Sequence, residues 1–288
     1  MKTAEIIKWG RWRIAWVSSG NLDEVGKLLR SGEIDGVGLN PHHGFTGDPS
    51  FLNELPSFAG IIVTETGSLD CQTLPRFNEL RFISLGGMRL RGFDFREFIN
   101  LVDLRIVWHS GDILPSSGDS LESLYLKGYK PKTKDLNALS SFANLEALEL
   151  VQAGVTSLDG VQRLARLRQI DVSYCKALVT IAALISTPIE QVHFEACGNI
   201  QDIPLLSRCA RVRSIKLSSC GKLQSLSFLE ESKTIEEFRF VKTEVADGDM
   251  SPLLKLKSVG FINKRDYSHT SEQVNEFISR RAANSDHP

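Results

Sequence analysis

The chain has 288 residues, of which 42% are hydrophobic and 24% are charged, as in an ordinary globular protein. Its formal net charge is -1, so there is no general electrostatic reason to expect nucleic acid or an anionic membrane as a partner. The first residues contain no long apolar run followed by a small-residue cleavage site, and no stretch approaches the length that spans a bilayer. These features predict a cytoplasmic protein.

The cysteines are odd in number and form no CxxC pair. Three of them recur about every 22 residues, at Cys175, Cys197 and Cys220, so each falls in a different repeat. That spacing argues against a zinc site, which needs its ligands close together. It favours small buried fillers with free thiols, which fit a reducing compartment. We therefore predict no metal and no cofactor. The full set is Cys71, Cys175, Cys197, Cys209 and Cys220.

One short phrase recurs through most of the chain. It reads apolar-x-x-apolar-x-apolar, as in Leu145-x-x-Leu148-x-Leu150, and returns every 20 to 24 residues or so. In a strand of alternating facing, positions one, four and six point into the core. Positions three, five and seven then lie on the opposite side, which we call the concave face. The eleven phrases begin at Ile34, Phe58, Leu80, Leu101, Leu121, Leu145, Leu167, Ile189, Val212, Ile235 and Leu256.

The connections between phrases are short. Apolar residues recur there at every third position, as at Leu178 and Ile181, which favours 3-10 or extended turns over full helices. Parallel pairing of successive strands forces each connection to cross outside the sheet. Because one repeat cannot bury its own apolar row, stability depends on the neighbouring repeats.

Both ends of the repeat array carry atypical segments. Trp9 to Val17 predicts an irregular first strand, and residues 22–30 have helical spacing, with Asn21 and Glu24 placed as a capping pair. After the last phrase, Ser268 or Thr270 predicts the start of a helix over about 271–281, with an apolar stripe of Val274, Phe277 and Ile278. Such a helix suits the role of a cap over the last repeat better than that of a membrane-surface helix.

These phrases resemble those of the leucine-rich repeat family, and Asn199-Ile200-Gln201-Asp202-Ile203 resembles the short internalin-like repeats common in bacteria. The resemblance implies an α/β right-handed solenoid, or horseshoe, with a parallel sheet on the concave face, short 3-10 or irregular convex segments and capping helices. It departs in the ladder slot, where asparagine is absent and three repeats carry cysteine. We predict a single domain, 1–288, with an N-terminal cap at 1–33, repeats at 34–261 and a C-terminal helix and tail at 262–288.

The candidate site is the concave face, since repeat proteins generally bind along that surface. Its side chains include charged and aromatic types that anchor protein interfaces, with Phe82 among the aromatic residues predicted to be exposed. Glu149, Asp171 and Glu195 predict an acidic centre, flanked by cations on both sides. A plainer reading is a solvated sheet face whose charges pair between strands. The predicted partner-binding residues are Arg105, Trp108, Tyr125, Lys127, Glu149, Asp171, Tyr174, His193, Glu195, Lys216 and Arg239.

Catalytic interpretations are weaker. Asp171, His193 and Ser218 lie in successive repeats and could be taken for a triad, yet nothing indicates an oxyanion hole or a strained nucleophile turn. Glu149 and Glu195 beside them could join a metal site, but the flat spacing makes a closed ligand shell difficult. His42-His43 reads as surface decoration. No residue is assigned a catalytic or metal-binding role.

The sequence thus predicts a non-catalytic, bacterial, cytoplasmic module that recognises another protein and acts as a monomer. An alternative is an immunity protein that neutralises a toxin or effector. A third, a metal-dependent or hydrolytic enzyme, would use the acidic centre. Neither nucleic acid nor a membrane is predicted as a partner.

Overall fold

A computed structural model describes residues 4–64, 79–86, 94–115 and 120–285. It divides the chain into two compact units, an N-terminal unit, Met1–Gly128, and a C-terminal unit, Tyr129–Pro288. Cys71 and part of the irregular segment from Ser110 to Gly118 lie outside the described residues. The single-domain organisation stays a prediction.

The described part of the N-terminal unit is built on seven strands. The predicted first strand is in fact an antiparallel hairpin, β1 (Ile6–Trp9) and β2 (Trp12–Trp16), because Gly10 takes a left-handed φ of 58° and turns the chain. From β2 onward the strands pair in parallel and in chain order. The other five are β3 (Gly36–Leu39), β4 (Gly60–Thr64), β5 (Phe82–Gly86), β6 (Asp103–Val107) and β7 (Ser123–Lys127).

The predicted helix after the hairpin is confirmed as α1 (Leu22–Ser31). The predicted capping pair is wrong, because Asn21 makes no side-chain bond to the helix. Instead its Oδ1 accepts from Ser18 N at 2.9 Å and its Nδ2 donates to Trp16 O at 3.0 Å, which fixes the strand-to-helix turn. Glu24 accepts from the backbone N of Ala4 at 3.1 Å.

The described part of the C-terminal unit contains a parallel sheet of six strands in chain order and a second, two-stranded sheet. Most connections contain 3-10 helices, as at Ala182–Ser186 and Ile203–Arg208, which confirms the prediction from their spacing. Two α-helices are present, the short α2 (Phe228–Glu231) and the terminal α3 (Ser271–Ser285). The main strands are β8 (Ala147–Val151), β9 (Gln169–Ser173), β10 (Gln191–Glu195), β11 (Ser214–Ser218), β13 (Glu237–Val241) and β15 (Ser258–Phe261), and β12 (Lys222–Leu223) pairs with β14 (Glu244–Val245).

The core of each unit follows the predicted phrase. Positions one, four and six of all eleven phrases are buried; Leu145, Leu148 and Leu150, for example, are at most 1% exposed. Each strand lies directly opposite the next in the predicted register, so the buried rows of neighbouring repeats pack together. This stacking confirms the repeat interpretation for every phrase.

A left-handed residue follows each of the first five main strands of the C-terminal unit. Its φ lies between 50° and 58°, although none of these residues is glycine. In four of the five, the N–H extends the ladder by donating to the last residue of the next strand, as from Tyr174 N to Glu195 O at 2.7 Å. The turn then directs the following side chain into the core. The five residues are Gln152, Tyr174, Ala196, Ser219 and Lys242.

The buried side chains after these turns form a cysteine ladder in place of an asparagine ladder. Ala153 N donates to Cys175 Sγ at 3.2 Å, and Cys220 N donates to Thr243 Oγ1 at 3.0 Å, so side chains in one repeat accept from the backbone of the repeat before. The thiol of Cys197 in turn approaches the carbonyls of two strand ends at 3.3 and 3.4 Å. The ladder thereby pairs backbone groups that the core would otherwise leave without partners.

The C-terminal cap is confirmed with one correction. Thr270 Oγ1 accepts from Gln273 N at 3.2 Å while Gln273 Oε1 accepts from Thr270 N at 2.8 Å, which is a capping box at the start of α3. The helix buries Val274 and Ile278, but Phe277, predicted in the same stripe, is 49% exposed.

Candidate partner-binding face

The central row of the concave face in the C-terminal unit follows the predicted register. Strand pairing places five side chains side by side, one from each of β8, β9, β10, β11 and β13. Adjacent strands in such a sheet lie about 4.8 Å apart, so neighbouring side chains in the row are within reach of one another. In order, they are Glu149, Asp171, His193, Lys216 and Arg239.

Asp171 and His193 form a hydrogen-bonded pair in the middle of this row. His193 Nδ1 lies 2.7 Å from Asp171 Oδ2, and Ser173 Oγ donates to the other carboxylate oxygen at 3.1 Å. The bond to Asp171 raises the pKa of His193, against the opposing effect of its partial burial. The pair therefore favours the charged imidazolium and fixes its ring.

A second hydrogen-bonded pair, Tyr174 and Glu195, lies next to the central row, toward the carboxyl ends of the strands. Tyr174 OH donates to Glu195 Oε1 at 2.9 Å, although Tyr174 itself is 47% exposed. The same bond, with the charge of Glu195, raises the pKa of the Tyr174 hydroxyl. Since Tyr174 occupies the left-handed turn after β9, its ring is presented at the rim of the face by the backbone.

The two cations of the row, Lys216 and Arg239, differ in their bonding. Arg239 bonds to Glu237 and donates to Ser258 Oγ at 3.0 Å. It lies over Gly260, where an added Cβ would sit 3.4 Å from its guanidinium. Lys216 is exposed, and within the described residues its ammonium makes no hydrogen bond or ion pair.

In the N-terminal unit, four predicted site residues lie on or next to β6 and β7. The guanidinium of Arg105 sits 4.3 Å from the ring centroid of Tyr125, a cation–π contact. Trp108 N donates to Lys127 O at 2.8 Å, which continues the ladder past the strand ends. These residues belong to a different unit from Glu149, and the predicted flanking of the acidic centre by Arg105 and Lys127 stays a prediction.

The prediction of an exposed Phe82 is wrong. Its side chain is on the concave face but only 1% exposed, because its ring crosses Gly60 and reaches Gly36. Trp12 stacks on it with ring centroids 4.8 Å apart, and Trp16 covers Gly38 in the neighbouring row. The signal in the sequence is that position three is glycine in two successive phrases and phenylalanine in the phrase that follows them.

His43 is another residue whose role the sequence does not reveal. Its position predicts surface decoration, as for His42, but its ring stacks on Trp16 at 4.9 Å with an interplanar angle of 7°. Its Nδ1 also lies 3.5 Å from a carboxylate oxygen of Glu5. His43 therefore helps to cover the ring of Trp16.

The geometry offers little for catalysis or metal binding. The Asp171–His193 pair exists, but across the described residues the hydroxyl of Ser218 makes no hydrogen bond. In the part of the chain that the structure describes, no group of three His, Cys, Asp or Glu side chains is placed to hold a metal ion. Within the same residues, every helix is too short or too polar to cross a membrane.

No protein-family model and no curated protein matches the chain. Solved structures do. The functional domain of internalin J from Listeria monocytogenes, which includes a cysteine ladder, aligns with a TM-score of 0.52 at 16% identity, over 72% of this chain and 44% of that one. An internalin F structure from Listeria monocytogenes aligns with a TM-score of 0.50 at 13% identity, over 81% of this chain and 77% of that one. The chain thus spans less than half of the internalin J domain.

These likenesses and the strand register define the fold. The chain has the leucine-rich repeat fold, in the short-repeat form seen in internalins. At such low identity the likeness concerns the fold alone, and function has to be argued from the side chains of the concave face.

Proposed function

We propose that this protein is a non-catalytic binding module that recognises another protein through the concave face of its C-terminal unit. The observation that carries the proposal is that polar side chains on this face are held in fixed positions while still partly exposed. The Asp171–His193 and Tyr174–Glu195 pairs are the clearest cases. Such pre-organisation lowers the entropy lost on binding.

The opposite side of the same strands is already fully used. Its apolar rows are buried between repeats, and carbonyls near its strand ends are paired by the cysteine ladder. The concave face of the C-terminal unit carries an exposed aromatic ring, Tyr174, of the kind enriched in interfaces. We extend the same proposal to Arg105, Trp108, Tyr125 and Lys127 in the N-terminal unit.

The proposal includes a cytoplasmic location and a monomeric state. Supporting the location, Cys175, Cys197, Cys209 and Cys220 are buried and free. Unpaired thiols of this kind are typical of reducing compartments.

The test is capture from a native lysate with the full chain as bait. A concave-face variant, Tyr174→Ala/Glu149→Lys, is compared with the wild type and with Glu230→Lys/Glu231→Lys on α2, which changes charge away from this face. We expect one protein to be captured by the wild type and the α2 variant but lost from the concave-face variant, at unchanged melting temperature. The identity of that protein separates an adaptor from an inhibitor of a toxin. Capture that is equal for all three baits would refute the proposal.

A further inference from the structure

On the concave face of the C-terminal unit, two lysines make no hydrogen bond or ion pair within the described residues, whereas three carboxylates do. Asp171 accepts from His193 and Ser173, and Glu195 accepts from Tyr174. Farther along, the carboxylate of Glu237 accepts from Ser214 Oγ at 2.6 Å and also bonds to Arg239. These three acids are therefore already engaged within the face.

Lys216 and Lys242 are different. Lys216 lies in the central row on β11, and Lys242 occupies the left-handed turn directly after β13. Both are exposed, and within the described chain neither ammonium makes a hydrogen bond or an ion pair. Lys216 lies directly beside His193 in the row, and its charge opposes the rise in the pKa of His193.

Exposed apolar side chains lie at the ends of the two strands that follow β11 in the sheet. Val241, the last residue of β13, is 41% exposed, and Ile262, directly after β15, is 58% exposed. Apolar side chains with a charged rim are the usual make-up of a protein interface. We call Lys216, Lys242, Val241 and Ile262 together the cationic end of the concave face.

We propose that the cationic end binds an acidic segment of a partner protein. Carboxylates of that segment pair with Lys216 and Lys242, and an apolar side chain between them rests on Val241 and Ile262. The inference rests on the proposed binding function and specifies the chemistry of the partner. A basic segment is disfavoured, since Asp171 and Glu195 of the predicted acidic centre are already bonded within the face.

Nucleic acid fits this surface less well. Phosphate backbones are held by many cations acting together, whereas this surface offers two unpartnered lysines on a chain whose net charge is -1. The two exposed aliphatic side chains have no counterpart on a phosphate backbone, but they do on a peptide. Tight binding of an oligonucleotide at these lysines would therefore count against the proposal.

The first experiment selects peptides without assuming their sequence. A random peptide library is panned on the immobilised full-length protein, with counter-selection on Lys216→Glu/Lys242→Glu. We expect the recovered peptides to be enriched in Asp and Glu around an apolar residue. Enrichment of basic or neutral peptides, or no enrichment over the counter-selecting variant, would overturn the acidic-segment proposal.

A second measurement uses one selected peptide with a fluorescent label. By anisotropy, its affinity is expected to fall at least about tenfold for Lys216→Glu/Lys242→Glu, because two attractions become two repulsions. Added salt should weaken binding to the wild type, since exposed charges are screened. The matched control is Lys176→Glu/Lys233→Glu, which reverses two exposed lysines outside the strands and should leave affinity unchanged. Equal affinity for both variants, or equally tight binding of a labelled oligonucleotide, would overturn the proposal.

The two proposals fail in distinguishable ways. If the lysate partner depends on the concave face but the selected peptides are basic, the binding function stands and the acidic-segment proposal falls. If no captured protein depends on the concave face, the binding function itself falls. Equal melting temperatures of the wild type and its variants ensure that neither result reflects unfolding.

Discussion

The indole of Trp12 stacks on the ring of Phe82, with centroids 4.8 Å apart and planes inclined by 28°. The two residues lie on β2 and β5, and β3 and β4 stand between them in the sheet. Glycine at position three of both intervening strands makes this contact possible. Arg11, beside Trp12, also reaches Glu122 at the start of the last phrase of this unit, at 2.6 Å. The side chains of Trp12 and Phe82 therefore cover the concave face over β3 and β4.

This close packing predicts that Gly60→Ala destabilises the protein. A Cβ on Gly60 would lie 2.2 Å from the ring of Phe82, so the ring or the strand has to shift. Overpacking of this kind typically costs about 1–3 kcal/mol of unfolding free energy, measurable by urea denaturation. The control is Gly86→Ala on β5, where the nearest atom is 3.9 Å away and little change is expected. Equal stability of the two variants would contradict the close packing of Phe82 on Gly60.

The left-handed turns predict a stabilising substitution. Ala196 has a φ of 51°, a conformation that costs an L-residue about 1–2 kcal/mol and glycine almost nothing. After allowance for the greater freedom of glycine in the unfolded chain, Ala196→Gly should raise the unfolding free energy by up to about 1 kcal/mol. Ala182→Gly, at the first position of a 3-10 helix, should instead lower it. Thermal unfolding of both variants checks the sign, and destabilisation by Ala196→Gly would refute the left-handed assignment.

The buried cysteines of the C-terminal unit predict slow thiol chemistry. Burial raises the pKa of Cys209 and of Cys220 to about 11, and only the thiolate attacks a reagent. All four described thiols are at most 2% exposed, so in a Cys71→Ser background they should react with a disulfide reagent at a pH of about 8 only as fast as the protein unfolds. Denaturant should release all four at once. Rapid modification of the native protein at constant ellipticity would show that the ladder is open to solvent.

The fold can be predicted because its signal is periodic. Each phrase repeats the same demand for a buried row, so each repeat supports the assignment of its neighbours. The same register predicts that Glu149, Asp171 and His193 share one row, and the strand pairing confirms it.

What the sequence does not reveal depends on contacts between repeats. Position alone predicts that Phe82 is exposed, whereas its burial depends on glycine in the two preceding strands. Asn21 has the right residue type for a cap, but the turn from β2 uses both of its polar atoms. Residue types also indicate an acidic centre without indicating that Asp171 and Glu195 are already bonded within the face.

The Asp171–His193 bond predicts a pH-dependent contribution to stability. The bond raises the pKa of His193 above its ordinary value of 6.5, so the folded state binds the proton more tightly than the unfolded state. This contribution is fully present below the unfolded pKa and is lost as the pH rises through the folded pKa. Asp171→Asn should lower the His193 pKa in an NMR titration. It should also reduce stability more at about pH 6 than at about pH 9.

Glu149→Gln, which removes a neighbouring carboxylate not bonded to the imidazole, serves as the control. The other charges near the ring have opposite effects on its pKa, since Glu195 raises it and Lys216 lowers it. An unchanged His193 pKa in Asp171→Asn would therefore show that the bond to Asp171 does not hold the proton.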